Sequence, residues 1–100
     1  MQPPIIERNC MESLQWRWEI PPELPLPILR EGLAQHGYHD KSPFEWVWSL
    51  EHESENKVVI VPRTRRLQIR LNYLIDKDKR PTVAWQIALL IHEICEAANL

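Results

Sequence analysis

The sequence holds little glycine and little cysteine: two of each in 100 residues. So few glycines leave few positions that adopt positive φ freely, which excludes glycine-rich phosphate loops as an organising feature. The two cysteines, Cys10 and Cys95, form no C-x-x-C pair. Free, reduced thiols are expected. The longest apolar stretch, Ile87 to Ile91, falls far short of the ~20 residues a membrane helix needs. No strong charge of one sign is present. At a net charge of −2 there is no global pull toward nucleic acid or anionic lipid, although a local patch can still act. No secretory-type leader and no G-x-S-x-G or comparable nucleophile motif is found. These absences lead us to expect a cytoplasmic protein with no cofactor, no membrane contact and no small-molecule ligand.

What the chain has is tryptophan and proline, five and nine residues respectively. Four of the tryptophans fall in two W-x-W units. Leu14, Trp16, Trp18 and Ile20 alternate with Gln15, Arg17 and Glu19, and Phe44, Trp46, Trp48 and Leu50 alternate with Glu45, Val47 and Ser49. Strict alternation is the mark of a half-buried strand. The tryptophans are therefore expected to share one face and build the core. A stacking platform for bases or sugars would mix aromatic and polar residues on one face. Here the polar residues take the other face.

Residues 1–12, with Pro3 and Pro4 and no period, predict a flexible N-terminal tail, and 13–100 a single α+β domain. A first strand spans 13–20. Pro21, Pro22, Pro25 and Pro27 then block strand and helix alike. Pro27 suits a first helical turn; Ile28, Leu29, Leu33 and Ala34 follow at helical spacing, and Gly37 is a fitting stop. Gly32 weakens that helix or permits close packing. His36 to Pro43 reads as a polar connection. Strands are expected over 44–52, 58–61 and 66–75, with turns at 53–56 and 63–65. After a charged loop, Thr82 is the candidate N-cap of a helix over 83–98. The expected fold is an α+β two-layer sandwich in β-α-β-β-β-α order. It has a four-stranded, mostly antiparallel sheet and two helices on one face. The open face would show Gln15, Arg17, Glu19, Glu45, Ser49, Gln68, Arg70 and Asn72.

Three segments could carry function. Arg63, Arg65 and Arg66, with Arg70 further along, cluster near one hairpin, and their planar guanidinium groups can pair with phosphate or with carboxylates on a protein. The last helix is apolar around most of its circumference, wider than a surface helix on a small sandwich needs. Trp85, Leu89 and His92 are its expected partner-binding side. His92-Glu93-Ile94-Cys95-Glu96 resembles the H-E-x-x-H motif of zinc metallopeptidases, with Glu96 where the second histidine stands. That resemblance implies a degenerate metal-dependent hydrolase using His92, Glu93 and Glu96. Without the first strand, the order α-β-β-β-α is similar to that of double-stranded-RNA-binding domains and of small toxin ribonucleases of the HicA type. The toxin's strand histidine is not matched here.

The leading expectation is a non-enzymatic binding or regulatory module acting by contact with a protein partner or a second copy of itself, through Trp85, Leu89, His92, Arg63, Arg65 and Arg66. The first alternative is nucleic-acid binding through Arg17, Arg63, Arg65, Arg66 and Arg70. The metal-dependent reading of His92 and Glu96 is the second.

Overall fold

A computed structural model describes residues 7–8 and 15–98. Its elements are β1 (Glu7–Arg8), β2 (Gln15–Glu19), α1 (Leu26–Gln35), β3 (His39–Asp40), β4 (Trp48–Glu51), β5 (Lys57–Val61), β6 (Arg66–Arg70) and α2 (Arg80–Ala98). The α+β class is as expected. The sheet differs: among the described residues it has six strands in the order β1-β2-β6-β5-β4-β3, with every neighbouring pair antiparallel. The additional strands are the two-residue edges β1 and β3. Glu7 and Arg8 pair with Arg17 and Trp16, so these two residues of the segment read as a tail are strand. The rest of 1–12 lies outside the described residues. At the β3 end, so short an edge exposes few unpaired backbone groups for another chain to pair with.

One face of the sheet is the core. Trp16, Ile20, Leu50, Val58, Ile60, Leu67 and Ile69 are buried there, against Leu26, Leu29 and Leu33 of α1 and Ala84, Ile87, Ala88, Ile91 and Cys95 of α2. Their shared parity on the strands places both helices on that face. The other face is open. Register aligns Ser49, Val59, Gln68 and Arg17 across it, and Glu51, Lys57, Arg70 and Gln15 beside them. Gln68 Nε2 donates to Gln15 Oε1 at 2.7 Å. Glu45 and Asn72, expected on this face, belong to no strand.

The helix signals act locally. Pro27 lies in the first turn of α1, and Gly37 at φ 87° ends it, with its N–H on Ala34 O and the Tyr38 N–H on Leu33 O. Gly32 packs tightly against α2: a Cβ there would lie 2.6 Å from Ile94 Cγ2. The second helix begins earlier than expected. Val83 N–H already donates to Lys79 O at 3.1 Å, so Thr82 sits inside the helix and is not its N-cap. Pro81 fills a first-turn position that needs no N–H.

Two strands are shorter than their alternation predicts. The strand expected over 66–75 stops at Arg70, whose partner Lys57 is the first residue of β5. Beyond it the Asn72 N–H goes to the side chain of buried Asn56 at 2.8 Å. The strand expected over 44–52 holds only from Trp48 to Glu51. Phe44 and Val47 instead close a tight turn of their own, and Trp46 at its tip is 64% exposed. The expectation of a four-tryptophan core is corrected: Trp16 is buried, Trp18 and Trp48 are partly buried against the core, and Trp46 is outside it.

Candidate functional site

On α2 the buried residues recur as Ala84, Ile87, Ala88, Ile91 and Cys95, which directs Trp85 and Leu89 outward. Trp85 is 44% exposed and Leu89 37%. Four residues apart, they are neighbours on the helix surface. His92 lies one turn further along the same side and is largely covered, with 19% of its side chain exposed. A groove between α1 and α2, lined by Ile28, Gly32, Leu90 and Ile94 with Glu31 and Glu93 among its rim residues, adds apolar surface to the helical layer. Ile28 is itself exposed.

The arginines of the β5–β6 hairpin separate into two kinds. Arg63 and Arg66 are exposed. Arg65 is not available in the same way. It occupies the turn at φ 54°, its backbone carbonyl accepts from Ile20 N–H, and its Nη2 donates to Pro21 O at 2.6 Å and to Leu24 O. The guanidinium thus holds the proline-rich loop before α1 by satisfying carbonyls that no helix or strand can. Arg80 does similar work at the start of α2, donating from Nε to Ile75 O and from Nη2 to Tyr73 O. Arg17, Arg66 and Arg70 fall on the open sheet face, with Lys57 beside Arg70. Acids interrupt this patch: Glu19 pairs in register with Arg66, and Lys57 Nζ is 3.0 Å from Glu51.

In the helix, His92 Nε2 and Glu96 Oε1 are 3.8 Å apart, longer than a hydrogen bond. Glu93 is exposed. Cys95, one turn from His92, points into the core, and its burial, helped by the Glu96 charge, pushes the thiol up to about 11. A thiol held protonated is neither a nucleophile nor a ready metal ligand at neutral pH. Among the described residues no group of three or more His, Cys, Asp or Glu side chains is placed to hold a metal ion. The His92–Glu96 pair alone does not meet the ligand count a zinc site needs. Also among the described residues, no helix is long and apolar enough to cross a membrane.

Reading the sequence missed a cleft of about 710 Å³ beside β3, lined in part by Arg30, Asp40, Phe44, Trp46 and Trp48. Arg30 comes from α1 and the other lining residues from the stretch 40–48, and only the fold brings the two together. No protein-family model, curated protein or solved structure matches the chain.

Proposed function

We propose that the protein is a non-enzymatic binding or regulatory module that works by protein–protein contact, with the outer side of α2 as the contact surface. The observation that carries this reading is the exposed pair Trp85 and Leu89, neighbours on a helix whose opposite side is already committed to the core. Tryptophan is the residue type that most often anchors an interface, because it buries a large apolar area with few rotamers to freeze. Arg63 and Arg66 offer guanidinium groups for a polar rim. Arg65 is left out of the contact set because its hydrogen bonds are made within the chain. His92 is a minor, recessed contributor.

Self-association is the form tested first. Light scattering on a size-exclusion column should give a mass above the monomer that rises with concentration. Leu89→Glu should return it to the monomer without changing the circular-dichroism spectrum. A wild type that stays monomeric at millimolar concentration would overturn self-association through this face.

Nucleic-acid binding is the second reading, favoured by the placement of Arg17, Arg66 and Arg70 on one open sheet face with Arg63 at its end. Phosphate contacts would make affinity fall steeply as salt rises. Absence of RNA or DNA binding in 20–50 mM salt, roughly the range where such contacts are strongest, would end this reading.

A further inference from the structure

We propose that the cleft beside β3 takes an arginine side chain of a partner protein. The cleft contains one aromatic–carboxylate–guanidinium unit that is complete and a second that lacks only its cation. In the first, the Arg30 guanidinium lies 4.7 Å over the Trp48 ring, and its Nε is 3.8 Å from Asp40 Oδ2. The protein's own arginine fills that position. In the second, Phe44 and Trp46 stack at 5.2 Å between centroids and 7° between planes, and Glu45 lines the same cleft. Phe44 is 57% and Trp46 64% exposed. Glu45 has no ion-pair partner among the described residues.

The rim is set before any ligand arrives. Asp40 Oδ1 accepts from the Ser42 N–H at 2.9 Å and from the Ser42 hydroxyl, and Ser42 Oγ in turn accepts from Ser49 N–H at 3.1 Å. The Phe44–Val47 bridge closes the turn that carries both rings. A binding surface held this way has less conformational freedom to lose on association.

The charge balance chooses the occupant. Asp40 and Glu45 face a single cation, Arg30, so the cleft as a whole is one positive charge short. A phosphate or carboxylate ligand would be repelled. A neutral sugar or a proline-rich segment could use the rings but would leave Glu45 without a counter-charge. A guanidinium serves both features: its flat face stacks on an indole, and its edge pairs with a carboxylate. This site is separate from the α2 face, and the failure of either reading leaves the other standing.

The test uses the full chain and a blocked Gly-Arg-Gly-Arg-Gly peptide, followed by nitrogen-15 NMR shifts at low salt. Saturable shifts are expected at Phe44, Glu45 and Trp46. The same peptide with citrulline for arginine keeps the shape and loses the charge, and should bind at least about fivefold more weakly. Trp46→Ala and Glu45→Gln should each weaken binding by a similar factor. Glu23→Gln, which removes an exposed acid from the proline-rich loop, should not. Because Trp46 projects into solvent, the Trp46→Ala spectrum should remain that of the folded protein. No saturable shift at these residues, equal binding of the citrulline peptide, or a stronger response to a blocked triproline peptide or to maltotriose would overturn the proposal.

Discussion

The two W-x-W segments carry the same alternation and reach opposite ends. Along β2, the partner strand β6 runs the full length: Trp16 lies opposite Ile69 and Trp18 opposite Leu67. Both residues opposite these tryptophans are apolar, and Trp16 is left 5% exposed. In the second segment the ladder with β5 starts at Trp48, opposite Ile60. Continuing that register would set Trp46 opposite Pro62, which has no N–H to offer and begins the β5–β6 turn. The ladder stops at Trp48, one residue short of its partner's end, and Trp46 passes into solvent. An alternating pattern says which residues of a strand share a face. Whether that face is covered depends on a neighbour more than ten residues away in sequence.

The largest expected effect separates the two segments directly. Trp16→Ala should destabilise the fold by roughly 3–5 kcal/mol, the cost of emptying a core position. Trp46→Ala should cost about 1 kcal/mol or less, the worth of its stacking on Phe44. Urea denaturation reads both, and equal losses would break the contrast. Next in size is the helix contact above the sheet. Gly32→Ala forces a methyl to within 2.6 Å of Ile94 Cγ2, and the overpacking should cost about 1–3 kcal/mol. Ile94→Ala in the same chain should recover part of that loss, as expected for two residues in contact. Smaller still is a change that sharpens the partner argument. Pro62→Val restores the missing N–H and lets the ladder extend, so amide exchange at Trp46 should slow, with stability altered by about 0.5 kcal/mol at most. Unchanged exchange would mean that something other than Pro62 ends the strand.

The smallest effect concerns pH at the cleft. Hydrogen bonds from the Ser42 hydroxyl and backbone N–H, with some help from Arg30, hold the Asp40 carboxyl below the usual carboxylate range. A depressed folded-state value stabilises the fold above the unfolded pKa, and that gain is lost as pH falls through the folded value. The loss should begin below about pH 4, where the unfolded carboxylate starts to take up a proton. Since Asp40 is well exposed, screening keeps the term to about 0.3 kcal/mol or less. Asp40→Asn should flatten this part of the acid limb in a comparison of urea midpoints at two pH values.

Much of the architecture was legible in the residues. Alternation located β2 and the start of β6, the apolar run Val58–Val61 located β5, the proline run marked the gap before α1, and Gly37 marked that helix's end. The edge strand β3 was not legible, because His39 and Asp40 follow no pattern and are strand only through pairing with Glu51 and Leu50. Of the candidate sites, Trp85 and Leu89 could be picked out because a helix on a small sandwich cannot bury its whole circumference. Arg65 could not be told from Arg63. Its carbonyl acceptors on Pro21 and Leu24 lie more than forty residues upstream, and only the folded chain brings them near. The cleft was hidden for the same reason: Arg30 reaches Trp48 and Asp40 from a different element.

The central claim is that the tryptophans divide between core and surface, with Trp16 serving the core and Trp46 and Trp85 presented to solvent. The most direct test is fluorine NMR of the protein labelled with 5-fluorotryptophan, each signal assigned by a single Trp→Phe replacement, in the presence of a soluble paramagnetic agent. The account predicts the strongest relaxation at Trp46, a strong effect at Trp85 and the weakest at Trp16. Trp46 protected as well as Trp16 would contradict it.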